Sequence, residues 1–257
     1  LSVAVAMTRN LCCSALILRS RPFGESNREI WLLSAEAGLV RATVFGGPKS
    51  RLRSYASPFH SGQAWIYHDP VKDTRKLTDF DVRSWRPGIR EAYERAMASD
   101  AVAETVLASH GGGGNWGGAL SLTEAALDAL AGSDGETCSR IMLWFLWQWA
   151  DFLGLRPEFT HCTLCGRPMP EGGMSRFLPR EGGMICGACL DGNTRPSSGG
   201  LVEVGPGCRL WLETVRPLSP DQLNRYTLDT KSFREAKILT TTIIAGMLGK
   251  RLTSWDW

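Results

Sequence analysis

The rhythm of hydrophobic and polar residues changes along this chain. Between residues 11 and 82 the apolar runs are short: Leu11–Arg19, Arg28–Ser34, Leu39–Phe45, Gly62–Tyr67 and Leu77–Val82. In the third run Val40, Ala42 and Val44 alternate with Leu39, Arg41 and Thr43, the two-residue period of a half-buried strand. Breaker clusters at Ser20-Arg21-Pro22-Phe23-Gly24 and Gly46-Gly47-Pro48 end the first and third runs. Five short strands with no helix-length pattern among them predict a small barrel of OB type, because closure removes the exposed edges that such strands otherwise leave.

From Pro87 the period lengthens to that of a helix. Ile89–Ser109 is rich in Ala, Glu, Arg and Leu. Gly111–Gly118 breaks it and reads as a flexible connector, since it lacks the Lys-Ser/Thr ending of a phosphate loop. Leu122–Leu130 predicts a short helix capped by Ser121, with Glu124 three residues on. Ser139–Leu153 is apolar on almost every face and carries Trp144, Trp147 and Trp149, so it belongs at the centre of a bundle. Two more helical segments are expected around Pro206–Val215 and Ser232–Leu248, after a Pro196–Gly200 linker. The expected fold is α+β. A five-stranded OB-type barrel over 1–85 precedes a helical domain over 86–257, which is interrupted by a cysteine lobe over 160–193.

Composition narrows the class. With 43% hydrophobic and 21% charged residues, the 257-residue chain has enough apolar material for a core, which excludes wholesale disorder. The longest apolar stretch, Ile141–Leu155, is broken by Gln148 and Asp151 and is too short to span a bilayer. No membrane association and no secretory signal are expected, and the expected location is the cytoplasm. Net charge is only +3, but residues 1–83 hold twelve Lys/Arg against seven acids, so the surplus sits in the first third.

Four of the eight cysteines form two pairs, Cys162-x2-Cys165 and Cys186-x2-Cys189. Doubled C-x2-C spacing lets each pair clasp one side of a tetrahedral ion, which predicts one structural Zn²⁺ per chain. Four thiolates leave no position for an activated water, so catalysis at this metal is not expected. His161 reads as an exposed neighbour. Cys12, Cys13, Cys138 and Cys208 have no paired spacing and read as buried thiols.

Candidate nucleic-acid chemistry lies in the first third. Lys49, Arg51 and Arg53 place three cations within five residues, and Arg19, Arg21 and Arg28 flank a neighbouring turn. Such clusters favour a phosphate backbone through counterion release; the alternative is a solvated loop. Phe23, Phe45, Tyr55 and Trp65 are candidate stacking platforms, or core residues of their strands.

The run Leu16–Arg28, the following Gly38-Leu-Val-Arg41 and the Gly46–Arg53 loop resemble the start of the bacterial RecO recombination-repair family. The later order, a helical region with an inserted four-cysteine lobe and a closing segment Leu248–Ser254, is similar to that family's zinc-containing members. The resemblance implies a nucleoid-associated, non-enzymatic factor that binds single-stranded DNA, with double-stranded DNA a further candidate. It also implies annealing of complementary strands, recombinase loading with RecR, and docking of the C-terminal tail of single-strand-binding protein on the helical region. Carried onto this chain, DNA contacts fall to Arg19, Arg21, Lys49, Arg51 and Arg53, and zinc to Cys162, Cys165, Cys186 and Cys189. Arg140 and Arg209 are candidates for the tail site.

Two other classes stand against this reading. A nucleic-acid-processing enzyme would need a constellation that is missing: no His-x-Glu precedes a Pro-Cys-x-x-Cys, no His-Glu-x-x-His occurs, and Asp69, Asp73, Asp79 and Asp81 read as scattered turn acids. A zinc-stabilised adaptor that binds only protein would make the basic surplus incidental.

Overall fold

The computed structural model describes residues 9–47, 49–170, 172–191 and 200–256. Most of the Pro196–Gly200 linker, the first eight residues of the N-terminal apolar run and positions 192–193 of the cysteine lobe lie outside the described residues. The chain forms two compact units: residues 1–92 with 103–131, and residues 93–102 with 132–257.

The first unit is built on a closed barrel. Its strands are β1 (Asn10–Phe23), β2 (Asn27–Ser34), β3 (Gly38–Val44), β4 (Ser61–Asp69) and β5 (Thr74–Ser84), in the order β1-β2-β3-β5-β4. β3 and β5 meet in parallel and the other neighbours pair antiparallel, which is the connectivity of an OB barrel. The alternation in each strand sends Cys13, Ala15, Ile17, Ile30, Leu32, Val40, Ala42, Val44, Ala64, Ile66, Leu77 and Phe80 inside. All of these are nearly solvent-free, so the barrel interior is a packed core and the polar half of each strand faces outward.

β1 runs past the expected breaker. Its first half pairs with β4 as far as Leu16 and its second half pairs with β2 alone, out to Phe23. Pro22 falls in this one-sided stretch, where a missing N–H is tolerated. A short helix, α1 (Arg51–Tyr55), replaces the loop expected between β3 and β4. Cys12 is a further correction, because the same alternation that buries Cys13 leaves Cys12 exposed.

The glycine run is not a loose connector. Gly111, Gly112, Gly113 and Gly114 all have positive φ, from 71° to 138°, a conformation that side chains resist. The turn leads into α3 (Trp116–Leu130) and seats Trp116 on Gly38, where a Cβ would lie 2.6 Å from the indole. α3 begins six residues earlier than the sequence suggests. Its cap is Asn115, which accepts from Gly118 N, and Ser121 instead donates back to Gly117 O at 3.0 Å inside the helix. Arg86, buried with φ 43°, donates to Asp128 at 2.6 Å, to Phe59 O at 2.8 Å and to Ser61 at 2.9 Å, which ties α3 to the barrel.

In α2 (Tyr93–Ala108), the residues through Val102 group with the second unit and those from Ala103 with the first. The second unit centres on α4 (Gly135–Phe152), capped by Asp134. Eleven of its residues are buried, including Trp144, Trp147 and Trp149, as a pattern apolar on almost every face predicts. Trp144 donates to Leu218 O at 3.1 Å, and Trp147 stacks on Phe159. Around it lie α6 (Pro206–Val215) and α7 (Thr230–Leu248). A three-stranded sheet of β6 (Ser175–Leu178), β7 (Gly183–Cys186) and β8 (Val202–Val204), with the short helix α5 (Gly187–Asp191), carries the cysteine lobe. No helix among the described residues is long and apolar enough to cross a membrane.

Candidate nucleic-acid face and metal centre

The cysteine lobe brings its four thiols together. The first pair sits in a turn closed by Gly166 N donating to Cys162 O at 2.8 Å and Cys162 N to Arg167 O at 2.9 Å, with Gly166 at φ 68°. The second pair spans the end of β7 and the start of α5. Thr163 N donates to Met184 O at 2.8 Å, so the first turn lies on β7. Gly183 permits that approach, since a Cβ there would meet Thr163 Oγ1 at 2.0 Å.

The sulfur ligand atoms all lie within 4.8 Å of one another. Cys162 and Cys189 are 3.8 Å apart and Cys165 and Cys186 3.9 Å apart, close to the edge of about 3.8 Å that a tetrahedron with metal–sulfur bonds of about 2.3 Å requires. Burial pushes the Cys162 thiol up, but N–H donors from Cys186, Cys165 and Leu164 outweigh it and lower it to about 6. Cys189, hydrogen-bonded by Cys165 and its other sulfur neighbours, is pushed up to about 12. The backbone therefore favours the thiolate form at Cys162. These four residues fit a tetrahedral metal ion. His161 is exposed, beside Thr160, and stands outside the group.

The second feature is one outer face of the barrel. Strand register sets Arg21 opposite Glu29, Glu29 opposite Thr43 and Thr43 opposite Lys76; one step along, Arg19 faces Trp31 and Trp31 faces Arg41. Arg19, Arg21, Arg41 and Lys76 are exposed. Phe23 and Phe45, 46% and 49% exposed, stand at the end of the same face, and Lys76 Nζ lies 5.1 Å from the Phe45 ring centre. The Arg21 guanidinium sits 4.7 Å above Trp31. A cleft of about 470 Å³ is lined by Phe23, Glu29, Arg41, Phe45, Arg75 and Lys76. The face thus sets positive charge beside open ring faces on one surface.

Of the cations singled out in the sequence, Arg19 and Arg21 lie on this face. Lys49 precedes α1, and Arg51 and Arg53 are on it. Arg53 reaches the β1–β2 turn at Ser26 O, 3.4 Å away, whereas Arg51 turns to Tyr55, donating to its hydroxyl at 2.6 Å. Trp65 is 38% exposed in a separate cleft with Arg51, Tyr55, Asp79 and Asp81. The face also holds Arg41, Lys76 and Trp31, which the sequence did not single out as contact residues. The alternation around Arg41 was visible and already placed it opposite Val40 and Ala42, but only strand pairing reveals Trp31 and Lys76 as its companions. Asp69 caps its own turn at Val71 N, Asp73 pairs with His68 at 2.9 Å, and Asp79 accepts from Phe80 N; among the described residues only the four cysteines gather as metal ligands.

A closed OB barrel with a cationic, aromatic face, in a chain whose second unit carries a four-thiol cluster, defines an OB-barrel protein with an accessory four-cysteine lobe. Comparison with known proteins agrees over almost all of the chain. Residues 7–84 match the family described as Recombination protein O N terminal, and residues 90–256 match Recombination protein O C terminal. The chain belongs to the RecO family of DNA repair proteins. It is 27% identical over 247 residues to the DNA repair protein RecO of Desulfitobacterium hafniense, covering 94% of this chain and 86% of that protein. It is 28% identical over 250 residues to that of an Anaeromyxobacter species, covering 94% and 92%. With the Rubrobacter xylanophilus protein it shares 31% over 176 residues, 68% of this chain and 69% of the other.

Proposed function

We propose that this protein binds single-stranded DNA on the outer face of β1, β2, β3 and β5, anneals complementary strands, and with RecR assists loading of a recombinase at the nucleoid. The observation that carries this reading is the cross-strand grouping of Arg19, Arg21, Arg41 and Lys76 with Phe23, Trp31 and Phe45. Arg51 and Arg53 on α1, with Lys49 just before it, extend the contact, and residues 1–85 serve as the DNA-binding domain, followed over 86–257 by the helical domain that the cysteine lobe over 160–193 interrupts. Annealing needs no nucleophile or general base. Neutralising backbone charge on two strands lowers their repulsion and leaves base edges free to pair, so no covalent step is assigned to the protein. The same charge chemistry extends to duplex DNA.

The metal we assign to Cys162, Cys165, Cys186 and Cys189 is Zn²⁺, because an all-thiolate tetrahedral set suits it. Its role is to fold the lobe. For the tail of single-strand-binding protein we propose the cavity of about 280 Å³ beside Arg140, which Leu228, Thr230 and Phe233 also line. The buried Arg140 is held by Glu136 and Thr137, and its Nε is buried without a hydrogen-bond partner; Glu136 and Ser139 line the same cavity, in which Leu228 and Phe233 offer the apolar surface for the tail. Arg209 is engaged by the carbonyls of Pro170 and Gly173, both at 2.8 Å, and is assigned to the fold.

The test is a strand-annealing assay with complementary oligonucleotides, run with and without single-strand-binding protein. Acceleration that falls when Arg19, Arg21, Arg41 and Lys76 are all changed to Glu is the expected result. Failure of the protein to retain single-stranded DNA at any salt concentration refutes the proposal and favours the protein-only adaptor.

A further inference from the structure

The cationic face has a carboxylate at its centre. Glu29 is on the outer side of β2, yet its side chain is only 3% exposed because two arginines cover it. Arg21 donates to it through Nε at 2.7 Å and through a terminal nitrogen at 2.5 Å, and Arg41 donates through Nε at 2.5 Å from the opposite strand. Both arginine side chains remain more than half exposed, 57% and 63%. Their guanidinium groups are therefore tethered on one edge and open to solvent on the other.

Charge alone makes Glu29 unfavourable here, since it subtracts one unit from a surface meant for phosphate. Orientation argues the other way. A free arginine carries considerable rotamer entropy and its fork must be aimed before it can accept an anion in two-point contact. Side by side and untethered, Arg21 and Arg41 would also repel each other. Resting on the reading of this face as the single-strand site, we infer that Glu29 is a positioning residue: it preorganises Arg21 and Arg41 so that their outer N–H groups point to successive phosphates. The stack of Arg21 on Trp31 fixes the plane of one fork in the same way.

The two effects predict opposite signs. Glu29→Gln keeps the shape and removes the charge. If charge dominates, binding of an oligo-dT tightens and its salt dependence steepens. If positioning dominates, affinity falls about fivefold, from ordering two side chains at the moment of binding. The double-mutant cycle isolates the route, because in an Arg21→Ala/Arg41→Ala background Glu29→Gln has nothing left to aim and causes no further loss. Arg21→Lys supplies a second probe that preserves charge while replacing the fork with a point donor, and a several-fold loss is expected there too.

Unchanged or tighter binding by Glu29→Gln overturns the inference, as does an equal loss in the arginine-free background, which would mark a merely structural role. Melting curves accompany each variant, and if Glu29→Gln does not fold, Arg21→Lys decides. Failure of the underlying reading looks different. In that case the wild-type protein does not bind oligo-dT, or neutralising Arg19 and Lys76 leaves binding untouched.

Discussion

Arg19 and Lys76 are exposed on the barrel face, and neither forms an ion pair among the described residues. Changing both to alanine therefore removes two cations without stranding a buried partner, which is not true of Arg21 or Arg41 above Glu29. Each phosphate contact on a single strand contributes about 0.7 to the slope of log K against log salt. At about 0.15 M salt the released counterion is worth about 0.8 kcal/mol per contact, so the pair amounts to about 1.5 kcal/mol, or roughly tenfold in affinity. Lys76 also lies over Phe45, and its loss removes one ring contact in addition. Fluorescence anisotropy of a labelled oligo-dT, titrated from about 50 to about 300 mM salt, reads both quantities. The expected outcome is a slope shallower by about 1.4 and a weakening that shrinks as salt rises. A double variant with the wild-type slope refutes the assignment of the face, because counterion release cannot be recovered by repacking elsewhere.

Reversing Lys49, Arg51 and Arg53 to Glu should weaken the same binding and lower annealing, though Arg51 is partly occupied by Tyr55; unchanged binding would confine the site to the strands. Elemental analysis should give near one zinc per chain, and Cys165→Ser or strong chelation should lose the metal and unfold the lobe, which makes a metal-free, fully folded protein the contrary result. Burial pushes the thiols of Cys208, Cys13 and Cys138 up. Since the folded state favours their neutral form, that contribution to stability is fully present below the ordinary thiol value of about 9 and is lost as pH rises beyond it. Urea midpoints should therefore fall above about pH 9, less steeply in Cys208→Ala; a flat profile in the parent protein counts against the buried-thiol account.

Some of this was legible along the chain because the signal is local. Strand alternation at Val40, Ala42 and Val44 reports a face directly, and doubled C-x2-C spacing is a metal motif whose ligand geometry is carried by one short turn and one strand–helix junction. The apolar surround of Trp144, Trp147 and Trp149 likewise marks a helix that must be covered on all sides. Breakers were the weak point. Pro22 reads as a strand end until it is known that β1 has lost its second neighbour there, and the glycine run reads as slack until its positive φ angles and the seat of Trp116 on Gly38 are seen.

The residue order alone settles that there is a five-stranded barrel, a buried tryptophan helix and a four-thiol centre, because period and spacing act within a few residues. Which cations belong together is a matter of strand pairing. Arg21, Glu29, Thr43 and Lys76 are neighbours across β1, β2, β3 and β5 though they are far apart in the chain. No local pattern encodes that row, since it follows from the register in which a closed sheet buries its apolar half. The same closure covers Glu29 with two arginines and makes an acidic residue part of a basic surface.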